Sequence, residues 1–336
     1  MNVLFLAHTD EGGSLGAAAM EALGAAKGLG GSLPIELTVG LYGAEVQAAA
    51  DQIAGCGAVK FLGVAGAEFA SARYGSDASA CEALAKAAGA ELIVMPATSR
   101  ASRVAAGVAM RLGAAVDTRL TGLVVEGGKI VATRWFYRQR MVGKIERDAR
   151  PWLVTVDTGC FAPVAAAPGT ASVELLRVAP VTRTVVTGIN SPAADAQTIR
   201  PEAKMLLVAG AGWGKSQADG QKHLDEASSL ILGLLHATQC SLGSSKSLVD
   251  QSGEGAALPF LTHMHQVGQT GSTPRHQKGL STCCHGEEPH VVGWRFINER
   301  RAINLDASCG WAQGKADVLY VADAFAVVDK VVELLR

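Results

Sequence analysis

The first half of the chain alternates short apolar runs with Ala-rich segments of helical spacing. Asn2–His8, Ile35–Tyr42, Val59–Val64 and Glu91–Pro96 read as strands, and Leu15–Gly28, Ala44–Ala54, Ala78–Ala88 and Arg103–Leu112 as helices. Each strand is followed by a helix long enough to carry the chain back across a sheet. That rhythm restricts the fold to parallel strands with covering helices.

From Leu120 the pattern changes. Leu120–Val125 and Ile130–Tyr137 flank Glu126-Gly127-Gly128 and read as a hairpin, and Met141–Glu146 and Trp152–Asp157 continue as strands. The first domain is therefore expected to mix parallel and antiparallel strands. Ala162–Thr170 is rich in Ala, Pro and Gly, Ser172–Thr187 is more strand-like, and Asn190–Pro201 is polar with two prolines. These shifts predict a first α/β domain over 1–190, a linker over 191–203 and a second α/β domain over 204–336. In the second, Lys204–Ala209 reads as a strand, Ala211–Ser216 as a Gly-rich turn, Asp219–His236 as a helix, Val318–Ala322 as a last strand and Phe325–Leu335 as a terminal helix.

Length fits two domains of ordinary size: 336 residues, 49% hydrophobic. A net charge of -1 favours neither nucleic acid nor an anionic membrane. No run of eighteen apolar residues is present, so no membrane span is expected. Met1–Ala7 already reads as a strand and not as a targeting segment. The seven cysteines are odd in number and scattered, which points to reduced thiols and a cytoplasmic protein.

Several segments carry candidate chemistry. Gly210–Ser216 lies between a strand and a helix, where glycines let backbone N–H groups approach a phosphate; a tight turn without a ligand explains it equally. It fits neither the dinucleotide fingerprint nor the P-loop spacing. Gly243–Asp250 offers small hydroxyls and one cation, suited to an anion or to a solvated loop. In Gln266–Gly271, Gln269 and Thr270 can hydrogen-bond a heteroaromatic edge while Gly268 and Gly271 admit close approach; a hairpin turn is the alternative. Leu280–Cys284 reads as a short buried strand and Glu287–Val292 as a helix start, a junction at which α/β sheets bind ligands and at which His290 stands. His263, His265, His276, His285 and His290 crowd one region with Cys283 and Cys284, but their spacings match no zinc pattern and no metal site is expected. Arg134–Arg140 is basic and aromatic, and reads as a partner-facing or domain-packing strand. No nucleophile–base pair can be located.

Taken together, Gln266-Val267-Gly268-Gln269-Thr270-Gly271, the segment Cys283–Gly293 and Ala302-Ile303-Asn304 resemble the electron-transfer flavoprotein alpha subunit family. The first looks like the family's QVGQTG motif in full. Gly286, His290 and Gly293 match its GISGAIQHLAG segment, Gly243–Asp250 looks like GASRAAVD, and Lys204–Ser216 resembles the VVSGGRGxxS turn. The resemblance spans nearly the whole chain and is strongest over 204–330.

The resemblance implies FAD bound mainly by the second domain. It also implies a heterodimer with a beta subunit that carries AMP, and a flavoprotein dehydrogenase as electron donor. By position, Ser245 and Lys246 fall on flavin contacts. Val267, Gly268, Gln269 and Thr270 fall on the segment lining the isoalloxazine and ribityl chain, His290 on the histidine near the flavin's pyrimidine edge, His285 and Gly286 on the cofactor-binding segment beside it, and Asn304 and Asp329 on the adenosine side. Gly212 falls on a pyrophosphate-binding arginine and Lys246 on a flavin-facing one, His285 replaces a serine, and Glu287-Glu288-Pro289 replaces Ala-Ile-Gln. Lysine keeps the charge but loses the planar guanidinium. The substitutions imply a retuned FAD site in a specialised paralogue serving a dedicated dehydrogenase, one oxidising a methylated amine. Two other readings remain: a structural subunit that has lost FAD, and a nucleotide-binding module without flavin.

Overall fold

The protein is described from a computed structural model covering residues 1–137, 141–165, 167–188, 199–200, 203–250, 255–267, 276–282, 297–308 and 316–335. Its contacts divide it into two units, Met1–Asn190 and Ser191–Arg336. Each is an α/β unit with its own sheet, as the sequence pattern predicts.

The first unit holds β1 (Asn2–His8), α1 (Ala17–Gly28), β2 (Glu36–Gly43), α2 (Gln47–Gln52), β3 (Lys60–Ala65), α3 (Tyr74–Ala87), β4 (Leu92–Pro96), α4 (Ser99–Leu112), β5 (Ala115–Glu126), β6 (Lys129–Phe136), β7 (Met141–Ile145), β8 (Trp152–Val156) and β9 (Val173–Leu175). The strand order is β7-β6-β5-β8-β4-β1-β2-β3-β9. Only the β5–β6 and β6–β7 pairs are antiparallel. Gly127 and Gly128 both take positive φ, 57° and 79°, which closes the two-residue β5–β6 hairpin with the twist the strands need.

Strand alternation feeds two cores. Val3, Phe5, Val39, Leu41, Val94 and Val154 face α1 and α2. Leu4, Leu6, Leu62, Val64, Ile93 and Leu153 face α3 and α4. Between β8 and β9 the Ala/Pro/Gly-rich segment crosses the α1–α2 side. There Gly55 donates its N–H to Ala167 O at 3.0 Å and Gly169 donates to Asp51 O at 2.9 Å. A Cβ added at Gly24 would lie 2.1 Å from Ala162 O, so backbone runs against helix and the small residues are a packing requirement.

The second unit holds β10 (Met205–Ala209), α5 (Leu224–Thr238), β11 (Ser241–Ser244), α6 (Lys246–Asp250), β12 (His276–Thr282), β13 (Ile297–Asn304), β14 (Val318–Val321) and α7 (Ala324–Leu335). Its sheet is wholly parallel, in the order β11-β10-β12-β13-β14. Leu207, Leu242 and Ile303 pack on Ile231, Leu234, Phe325 and Val328 of α5 and α7. Leu206, Val208, Val267, Ile297 and Ala302 form the opposite face, with Ile199 against them. Ile199 and Arg200 lie within the segment expected as linker. Arg200 accepts from and donates to Ser241 Oγ through its backbone, at 2.9 and 2.8 Å, and so is seated on this second sheet. No helix among the described residues is long and apolar enough to cross a membrane.

Candidate ligand site at the carboxyl edge of the second sheet

The chain leaves β10 toward β11 on one side and later places β12 on the other, so the sheet order reverses at β10. At such a point the loops leaving adjacent strands diverge and open a crevice at the carboxyl edge.

The exit from β10 is a tight 3-10 turn over Ala211–Gly214. Gly210 donates its N–H to Thr282 O at 2.8 Å, and Trp213 Nε1 donates to Thr282 Oγ1 at 2.8 Å, which ties the turn to the end of β12. The Trp213 ring lies 4.4 Å from that of Phe325 at the start of α7. Gln217 Nε2 donates to Gly212 O and Lys215 O at 3.0 and 2.8 Å and closes the turn from outside.

Beside this turn a cavity of about 330 Å³ is lined by Gly212, Ser216, Gln217, Ile303, Asn304 and Asp323, with Ala218, Leu305, Ala322 and Ala324 completing it. Asn304 is buried at the end of β13, where its Oδ1 accepts from Asp306 N at 3.2 Å. Asp323 caps α7, its Oδ1 accepting from Phe325 N at 2.9 Å. Asp323 is the one charged residue among the described residues lining the cavity. A neutral amide, a carboxylate and a glycine turn suit hydroxyls and heteroaromatic edges better than a phosphate.

Ser245 and Lys246 follow β11. Ser245 is wholly buried and its Oγ accepts from Leu248 N at 3.1 Å, so its hydroxyl caps α6. The neighbouring Ser244 Oγ is buried without a hydrogen-bond partner among the described residues. Lys246 is exposed, with Nζ 3.6 Å from Asp250 Oδ2, and His263 Nδ1 lies 3.2 Å from Asp250 Oδ1. His263 comes from the segment 255–267, which packs against the β10 turn through Ala256 N to Gly214 O at 2.8 Å. The same segment runs alongside β11, where Val267 N donates to Ser244 O at 3.1 Å. Val267 is buried against Gly243, at which a Cβ would lie 2.3 Å from Val267 Cγ2.

The structure thus brings Gly212 and Asn304 to one cavity, and sets Ser245, Lys246 and Val267 around the end of β11. Asp329 lies on the exposed face of α7 and does not line the cavity. Gly268, Gln269, Thr270, His285, Gly286 and His290 lie outside the described residues. The sequence reading missed Asp323, although an Asp directly before an apolar helical run is a cap signal. Of the crowded histidines, His276 stands at the amino end of β12, its Nε2 3.1 Å from Ser241 Oγ, whereas His265 caps a turn at the carboxyl end of β11. Ahead of α5, the Asp219 carboxylate 2.7 Å from the His223 ring raises the imidazole's pKa above its usual value.

An open, wholly parallel sheet with described helices packed on one face and a polar cavity at its carboxyl edge defines a parallel-sheet α/β unit. The family is fixed from the other unit: the model described as "Electron transfer flavoprotein domain" matches residues 3–181, more than half of the 336-residue chain, and the chain belongs to that family. It is similar to three proteins named "Electron transfer flavoprotein subunit alpha". That of Clostridium acetobutylicum is 27% identical over 96% of this chain and 94% of its own length. That of Syntrophomonas wolfei is 25% identical over 90% of each chain. That of Thermoanaerobacterium thermosaccharolyticum is 26% identical over 77% of this chain and 75% of its own. The low identities mark a divergent member.

Proposed function

We propose that this chain is the alpha-type subunit of a heterodimeric electron-transfer flavoprotein and that its second unit holds FAD along the carboxyl edge of the sheet. The observation that carries this is the cavity where Gly212 of the β10 turn, Asn304 at the end of β13 and Asp323 before α7 converge at the carboxyl edge of the sheet. The donor set fits the sugar and adenine portion of the cofactor. Asp323 accepts from hydroxyls, Asn304 offers an amide, and the glycine turn admits close approach. Lys246 and Val267 stand farther along the same edge, on the side of β11. When bound, FAD supplies reversible acceptance of electrons. This chain's residues bind and orient it, and set the charge around its ring.

The partner in this reading is a beta-type subunit carrying AMP, and the donor is a flavoprotein dehydrogenase acting on a methylated amine. The lack of a cation among the described residues lining the cavity favours the second reading, a structural subunit without flavin. Both are tested by the absorption spectrum of the chain copurified with its beta-type partner. One FAD per heterodimer supports the electron carrier. A colourless heterodimer that stays colourless after incubation with FAD supports the structural subunit. Copurification with an enzyme other than such a dehydrogenase rejects the donor assignment.

A further inference from the structure

We infer that Lys246 is withheld from a ligand bound at this edge: Asp250, gripped from its other oxygen by His263, holds the lysine charge against its own helix. The inference rests on the reading that FAD lies along the edge.

Three features carry it. Lys246 is the first residue of α6 and Asp250 the last, so their 3.6 Å contact draws the ammonium along the helix, away from the strand end it follows. The Asp250 side chain is only 22% exposed, against 61% for Lys246, so the carboxylate is the fixed member of the pair. His263 takes the second carboxylate oxygen at 3.2 Å and leaves the first for the lysine. His263 lies in the described segment 255–267, which packs along the β10 turn. Gly214 O accepts from Ala256 N there, and a Cβ at Gly214 would lie 2.1 Å from Ala256 O. The segment thus supplies an anchor for the carboxylate that compensates Lys246. Asp250 and His263 are positioning residues that act through Lys246.

A cation beside the flavin ring favours its reduced, more negative form and raises the reduction potential. A cation already paired has less effect. The test is a double-mutant cycle on the heterodimer, reading flavin content and then the midpoint potential of the bound flavin. Lys246→Met alone is expected to move the potential little. Asp250→Asn is expected to raise it, and by more in the Lys246 background than in the Lys246→Met background. His263→Ala is expected to give a smaller shift of the same sign as Asp250→Asn.

Equal Asp250→Asn shifts in both backgrounds overturn the inference, because the carboxylate then acts directly and not through the lysine. A large fall in potential on Lys246→Met alone overturns it too, as does loss of flavin confined to Asp250→Asn. A flavin-free wild-type heterodimer overturns the underlying FAD reading, and that result is separable from all of these.

Discussion

The Trp213 indole N–H donates to the Thr282 hydroxyl at 2.8 Å and joins the turn after β10 to the end of β12, across the point where the sheet order reverses. The turn after β10 is therefore pinned to the last residue of β12. Removing the pin has a definite cost. Trp213→Phe keeps an aromatic ring against Phe325 but loses the donor, and is expected to destabilise by about 0.5–1.5 kcal/mol. Trp213→Ala empties a wholly buried site and is expected to cost about 3–5 kcal/mol. Urea unfolding followed by circular dichroism reads both. A Trp213→Phe variant as stable as the wild type would mean that the hydrogen bond contributes nothing, and equal costs for the two variants would mean that the ring packing adds nothing to it.

A methyl group at Gly214 meets backbone and not a flexible side chain, since Ala256 O stands 2.1 Å from the position a Cβ would take. Gly214→Ala is therefore expected to push the 255–267 segment off the β10 turn at a cost of about 1–3 kcal/mol. Protease cleavage within that segment should quicken in parallel. Unchanged stability and cleavage would show that the two backbones can separate freely.

In the first unit the Asp77 carboxylate is wholly buried and receives two bonds from Arg100, Nε to Oδ2 at 2.9 Å and Nη2 to Oδ1 at 2.7 Å. Arg100 also donates to Phe69 O and Ala70 O at 2.6 and 3.0 Å, which fastens α4 to the turn before α3. Arg100→Met would leave a buried charge without its partner and is expected to cost about 3–5 kcal/mol. Removing the carboxylate as well, in Arg100→Met/Asp77→Ala, should recover part of that loss. Chemical denaturation of the single and double variants checks it, and a double variant no more stable than Arg100→Met alone would contradict it.

His8 stands at the end of β1, with Nε2 3.1 Å from Thr98 Oγ1, and burial pushes its pKa below the ordinary 6.5. The folded protein therefore disfavours the charged ring. The stability this gives is full above pH 6.5 and is lost as the pH falls through 6.5 toward the lowered folded value. His8→Gln removes the titration, so the wild type should weaken relative to the variant on acidification. Unfolding free energies of both proteins between about pH 5 and 8 read the difference. A difference that does not vary with pH would mean that the ring is not kept neutral.

The parts of the fold legible in the sequence are those where side chains repeat a simple demand. Val3 to Ala7 alternate between two buried faces, so β1 reads as a strand without reference to anything else. Gly127 and Gly128 announce their turn because positive φ at two successive residues needs them. Other elements draw their stability from neighbours. Ser241-Leu242-Gly243-Ser244 has one large apolar side chain, yet it is a strand because β10 on one side and Gln266 on the other hold its backbone. Within β13, only Ala302-Ile303-Asn304 stands out in the sequence. Glu299, Arg300 and Arg301 hide the rest, and Arg300 pairs with Asp317 at 2.9 Å.

Boundaries moved for local reasons. Helix α4 begins at Ser99, before the Arg103 expected, because Thr98 Oγ1 accepts from Ala101 N at 3.2 Å. Helix α5 begins at Leu224 and not at Asp219, because the Asp219 side chain folds back on Gln221 N at 2.9 Å and on His223. At the candidate site, the glycine turn and Asn304 carry motif information. The contribution of Asp323 depends on where α7 starts, and the contact of His263 with Asp250 depends on a later segment whose path no local pattern encodes.

The wholly parallel order of the second sheet has a historical consequence. In β13 the buried Ile297 and Ala302 pack in the core while Asn304, at the carboxyl end, lines the cavity, so framework and cavity draw on different residues of one strand. Residues at the carboxyl edge can change while Leu207, Leu242 and Phe325 keep the scaffold standing. Such a division lets descendants of one ancestor drift to about a quarter identity and still present the same edge to be rewritten.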